Sequence, residues 1–204
     1  MAITTYATLK SSIISWAKRG DIATLVDDFI DLAEADIWER LRVREMDSRA
    51  TATASTSERY LALPDSYLEM RKLRLYSGDN LYELDFVVPE TLSPQSSSGI
   101  PTSYTITSQL EFNKVPSSAY TVEMQYYKSL TALSSSNTSN AVLTRYPMLY
   151  MYGALFHFAN WSLNDVMASK YATLFAGAID AANKAEKKGR YGAAKAMKSE
   201  RPTP

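Results

Sequence analysis

The chain contains no cysteine among its 204 residues and a single histidine, His157. Disulfides, thiolate metal sites, iron–sulfur clusters and a cysteine nucleophile are therefore excluded. One imidazole cannot build a histidine-rich metal site, and it leaves little for histidine-based catalysis. Net charge is also lacking: 22 basic residues meet 22 acidic ones, so no overall excess of Lys and Arg marks a duplex-binding surface. Long apolar runs are missing too. The most apolar stretch, Met148 to Leu163, falls short of the roughly 20 residues that span a bilayer and contains His157 and Asn160. The N-terminus, with Lys10 and Ser11, Ser12 and Ser15 in its first apolar segment, has no signal-peptide pattern, which gives the expectation of an intracellular protein with no membrane partner. What remains is an ordinary globular composition, 46% apolar and 22% charged, of a length that suits one domain with an elaborated tail.

Periodicity divides the chain. From Thr5 to Arg19, Tyr6, Leu9, Ile13 and Trp16 recur at helical spacing until Gly20; after Asp21, Leu25, Phe29, Leu32, Ala33 and Ile37 line a second helix to about Arg42. Residues 1–46 are thus expected to form a helical hairpin. Residues 47–133 read as an antiparallel β-rich region, one sheet system. Its strands are expected at Arg49–Ser55, Tyr60–Leu63, Glu69–Leu75, Leu81–Phe86, Ser103–Thr107, Gln109–Phe112 and Tyr120–Tyr127, with turn chemistry between them. Ser134–Asn140, SSSNTSN, reads as a linker. Residues 141–188 return to helix: Pro147 opens a helix to about Trp161, Asn164 caps the next, and Gly189 and Gly192 stop it. Residues 189–204 are left as a basic tail. The fold class expected is α+β, with the terminal helices forming a bundle around a central antiparallel β-rich region.

Charge is unevenly placed. Residues 1–100 carry 11 basic and 16 acidic side chains, a balance of −5, whereas residues 101–204 carry 11 and 6, a balance of +5. The surplus lies at the C-terminus, in Lys184, Lys187, Lys188, Arg190, Lys195, Lys198 and Arg201. A solvated end is one reading. A docking arm with Tyr191 and Met197 as apolar anchors, meeting an acidic protein groove, is another, and nucleic-acid binding by the tail is a third.

The Pro147 helix leaves almost no polar side. Tyr150, Tyr152, Phe156, Phe158 and Trp161 on it are expected in a bundle core or a subunit interface, because a helix apolar all round is enclosed all round. His157, alone on this helix, reads as a hydrogen-bonded core residue. On the second helix Asp27, Asp28, Asp31 and Glu34 read as a solvated face, or as a belt of negative charge if copies repeat around an axis. No G-x-S-x-G, P-loop or nucleophile–base pair is present, so no enzyme, no cofactor and no metal site is expected.

Several phrases resemble one family. LAEADIWERLRVREM at Leu32–Met46 followed by TATAS, then YLALPDSYLE at Tyr60–Glu69 with Arg71-Lys72-Leu73, and Leu143-Thr144-Arg145-Tyr146-Pro147 followed by Leu149-Tyr150 and Tyr152-Gly153-Ala154-Leu155, are similar to the head-to-tail adaptor proteins of tailed bacteriophages. The likeness runs in order from about residue 5 to residue 185 and stops after Ala185. It implies a structural role at the virion neck after synthesis in the host cytoplasm. Neighbouring copies would form a ring, usually of twelve, under the portal protein and around the channel for genomic DNA, which passes without specific binding. A β-rich middle would face tail or nozzle proteins and a C-terminal arm would dock on the portal. Asp27, Asp31 and Glu34 would then line the channel, since an acidic wall lets DNA slide. The rival readings are another neck or tail-completion protein, such as a stopper or terminator, and a carbohydrate- or receptor-binding module, suggested by 14 tyrosines.

Overall fold

The computed structural model describes residues 2–191 and is mixed α+β: five α-helices and two four-stranded sheets. The chain divides into two compact units. One is formed by the described residues up to Glu45 and from Leu130 onward, the other by Met46–Ser129.

The first unit is helical. Helix α1 (Tyr6–Ala17) starts at a reciprocal cap: Thr8 N donates to Thr5 Oγ1 at 3.3 Å and Thr5 N donates to Thr8 Oγ1 at 2.9 Å. It stops earlier than Gly20, at Lys18, whose φ of 53° places it in the left-handed region. Tyr6, Leu9 and Ile13 are buried, but Trp16, in the last turn, is exposed. Helix α2 (Val26–Arg40) buries Val26, Phe29, Ile30, Ala33 and Ile37. Leu32, expected on this side, faces solvent instead, because it lies outside the stripe that these residues define.

A short helix α3 (Ala141–Arg145), not anticipated, precedes α4 (Pro147–Trp161) and α5 (Asp165–Tyr191). Asn140 caps α3 by accepting from Leu143 N at 2.8 Å, and Asn164 caps α5 by accepting from Met167 N at 3.0 Å. Helix α5 continues through Gly189 to Tyr191, so the glycine does not stop it. A single helical glycine costs only about 1 kcal/mol, which its Lys-rich neighbours tolerate. Helix α4 packs against α1, α2, α3 and α5. It approaches α2 and α5 closely at Gly153, where a Cβ would meet Ala33 Cβ at 2.8 Å and the Phe175 ring at 3.2 Å. The Ser-rich segment before α3 is held down: Asn137 Nδ2 donates to Ala132 O at 2.7 Å, and Tyr6 N donates to Thr138 O at 2.7 Å.

The second unit is a pair of sheets. The first has the order β1-β8-β3-β4, with β1 Asp47–Thr53, β3 Tyr67–Ser77, β4 Asn80–Glu83 and β8 Thr121–Lys128, every neighbouring pair antiparallel. The second has the order β2-β7-β6-β5, with β2 Tyr60–Leu61, β5 Asp85–Phe86, β6 Ser103–Ile106 and β7 Leu110–Phe112. The single sheet system expected from the sequence is thus two sheets, and β5 runs parallel to β6. The run Leu81–Phe86 splits at buried Leu84, where the chain passes from one sheet to the other. Alternation supplies the core: Leu73, Leu75, Val122, Met124 and Tyr126 from the first sheet cluster with Tyr104, Leu110 and Phe112 from the second.

Candidate assembly surfaces

The inward side of α4 holds a polar group. Tyr150, fully buried, donates its hydroxyl to Glu34 Oε1 at 2.9 Å and accepts from Asn140 Nδ2 at 2.7 Å. Leu133 N donates to both Glu34 oxygens, at 3.0 and 3.2 Å. Burial pushes the Glu34 carboxyl above its ordinary range, against the lowering effect of these donors, and burial beside Glu34 raises the Tyr150 phenol. Glu34 is therefore not part of an exposed acidic face. At 3% exposure it joins the helical core, where it ties the segment before α3 to α2. Its partners are 99 and 116 residues away in the chain.

The acidic face that remains is narrower. Asp27 accepts from Tyr6 Oη at 2.7 Å and pairs with Lys10 Nζ at 2.6 Å. Burial raises its carboxyl, but the bonds from Lys10 and Tyr6 outweigh that and hold it below the usual range. Asp28 and Asp31 are exposed, and partial burial followed by the charges of Asp27 and Asp28 raises Asp31.

Helix α4 is not enclosed on all sides by its own unit. Tyr150 and Phe158 are core, with the Phe158 ring edge-on to Phe29 at 6.1 Å. Tyr152 and Phe156 are half-buried, Tyr152 near Tyr171 at 6.5 Å and Phe156 near His157 at 5.1 Å. His157 Nε2 lies 3.0 Å from Asp36 Oδ2, a hydrogen-bonded place at the edge of the core. Trp161 is half-exposed, packed on Phe29 at 6.0 Å with Arg19 over its face at 5.5 Å. Just beyond it Leu163, at φ 55°, is 88% exposed and Val166 82%. Burying two such side chains would contribute about 1.5–3 kcal/mol each.

The basic end of α5 is anchored by a buried acid. Glu186, buried, pairs with Arg145 at 2.8 Å, accepts from Tyr146 Oη at 3.0 Å and from Arg44 N at 3.4 Å. Arg145 also reaches Glu45 at 2.6 Å. Burial, then the bond to Glu186, raises the Tyr146 phenol. Around this anchor Lys184, Lys187 and Lys188 are exposed, and Arg190 and Tyr191 occupy the last turn. Lys195, Met197, Lys198 and Arg201 lie outside the described residues. Beside the anchor, Tyr146, Pro147, Met148 and Leu149 face Ala178, Ala181 and Ala182 across an open groove of about 330 Å³.

Among the described residues no three His, Asp or Glu side chains gather as a metal would require, and no helix is long and apolar enough to cross a membrane. Among the described residues the exposed surface carries apolar knobs and charged rims. A family model described as SU10 adaptor protein matches residues 4–198, almost the whole chain. The chain therefore belongs to the SU10 adaptor protein family, phage head-to-tail adaptors with a structural role, which bears out the resemblance read from the sequence phrases. A comparison with curated proteins finds no match.

Proposed function

We propose that this phage adaptor protein assembles at the head–tail junction as a closed ring of copies, twelve by the pattern the family resemblance implies. It sits beneath the portal protein, extends the channel for genomic DNA and offers tail or nozzle proteins their attachment surface. The observation that carries this reading is the family match over residues 4–198. The half-buried Tyr152 and Phe156 and the exposed Trp161 supply apolar surface of the kind a neighbouring copy would cover. The cationic end, Lys184, Lys187, Lys188, Arg190 and Tyr191 with Lys195, Met197, Lys198 and Arg201 beyond, is the arm for the portal. Asp27 and Asp31 are the candidates for the channel wall, where negative charge would disfavour phosphate contacts.

Mass measurement of the full chain, alone and after mixing with its portal protein, tests the ring. A discrete multimer on the portal is expected, and absence of any complex would end the reading. Removing residues 187–204 should leave the fold intact and abolish portal binding, and wild-type binding should weaken with salt. Undiminished binding by the shortened chain would refute the docking arm. Asp27→Asn with Asp31→Asn should increase DNA retention by assembled rings at low salt, and unchanged retention would remove these residues from the channel wall.

A further inference from the structure

Strands β1 and β4 are the two edges of the first sheet. Natural edges are blunted by charge, bulges or cover. All four residues of β4 are exposed, and two of them are the large apolar Leu81 and Tyr82. Because every neighbouring pair in the order β1-β8-β3-β4 is antiparallel, β4 runs opposite to β1. A β1 strand laid beside β4 would therefore continue the alternation without a break.

The charges of the sheet repeat with the same logic. On one face Arg49 of β1 lies 3.5 Å from Glu123 of β8, and Glu123 lies 3.7 Å from Arg74 of β3. Arg74 stands opposite Glu83 of β4, whose carboxylate is 2.7 Å from Lys72. The row reads cation, anion, cation, anion. It ends in Arg49, whose side chain is 65% exposed, at one edge and in Glu83, 56% exposed, at the other.

We propose that, within the ring put forward above and resting on it, β4 of one copy adds to β1 of the next, so that the sheet continues from protomer to protomer. Glu83 then pairs with the next copy's Arg49, extending the charge row across the joint. The same register sets Leu81 opposite Thr51 and Tyr82 opposite the small Ala50. Antiparallel addition supplies main-chain hydrogen bonds, and the charge row fixes the register. Two different edges meet, so the contact is head-to-tail, the kind that builds a ring when the rotation between copies closes, and not a two-fold dimer. An identical copy is the occupant favoured, because the two edges complement each other in direction, face and charge.

The absence of cysteine makes the test direct. Thr51→Cys and Leu81→Cys are combined in the full chain, which is assembled on the portal protein and oxidised. Within one protomer the two positions are three strand spacings apart, about 14 Å, too far for a disulfide. Across the proposed joint they face each other at about 5 Å. The expected result is a ladder of linked copies on a non-reducing gel, lost on reduction and absent with either substitution alone. Rings that form without a ladder would overturn the edge pairing and leave the ring standing. Failure of the wild-type chain to form any ring on the portal would overturn both. Amides of Asn80–Glu83 that gain exchange protection only when tail components are added, with no ladder in the ring, would assign β4 to a tail partner and refute the pairing.

Discussion

Gly153→Ala sets two effects against each other. Helix propensity favours alanine over glycine inside a helix by about 0.8–1.0 kcal/mol. Sterics oppose it: the new methyl would stand 2.8 Å from Ala33 Cβ and 3.2 Å from the Phe175 ring, whereas carbon atoms pack comfortably at about 3.5–4.0 Å. The Phe175 ring can turn aside. Ala33 Cβ cannot, because it is fixed to the backbone of α2, so the two helices must separate. Overpacking of this kind costs about 1–3 kcal/mol, and the net expectation is a loss of about 1 kcal/mol, or a Tm lower by about 2–4 °C. All three tryptophans, Trp16, Trp38 and Trp161, lie in the helical unit, so tryptophan fluorescence during unfolding reports that unit directly. Ala33→Gly alone should destabilise through propensity, but combined with Gly153→Ala it should recover about 1 kcal/mol relative to the sum of the single changes. A Gly153→Ala chain more stable than wild type, with no coupling to Ala33→Gly, would refute the close approach of α4 and α2.

Three further outcomes test the helical unit. The folded Glu34 carboxyl titrates above its unfolded value, so between those two points the folded state binds more protons. Wild-type stability relative to Glu34→Gln should therefore rise as the pH falls from 7 toward about 4.5, and chemical unfolding that gives a pH-independent difference would contradict the burial. Glu186→Leu removes the acceptor shared by Arg145, Tyr146 and Arg44 N, so amides near residues 184–188 should exchange faster while those of α1 are unchanged. Asn164→Ala leaves Met167 N–H without its cap and should cost about 1 kcal/mol in thermal unfolding.

Legibility followed the range of the forces involved. The stripe Tyr6, Leu9 and Ile13, the opening of α4 at Pro147 and the cap at Asn164 are local facts, and the structure keeps them. Glu34 was misplaced although its position carried a signal: it stands four residues after Ile30 and three before Ile37, inside the buried stripe. A carboxylate there needs donors, and these come from Leu133 and Tyr150, which no local pattern connects to α2. Arg145, Glu45 and Glu186 were missed for the same reason, since residues 45 and 145 meet only after the chain has folded. Strand positions were readable from alternation, but partners were not. Nothing in Asp85-Phe86 indicates a parallel neighbour at Ser103-Tyr104.

Helix α4 divides its side chains between the helical unit and the surface that the proposed ring would use. Its inward residues, Tyr150, Gly153, Ala154 and Phe158, are buried within the helical unit. Its outward and terminal residues, Met148, Phe156 and Trp161 with Leu163 beyond, retain solvent-exposed apolar area that a second copy could remove from water. In the proposed ring, assembly would draw on surface that folding leaves unused, and a substitution can then separate the two processes. Changes at Gly153 should act on unfolding. Changes at Phe156 should act on ring formation, because a charge placed there stays partly hydrated in the single chain and is stranded when a neighbour closes over it. Phe156→Asp that unfolds the free protein as readily as Gly153→Ala, or that assembles as wild type does, would show that the two surfaces are not separate.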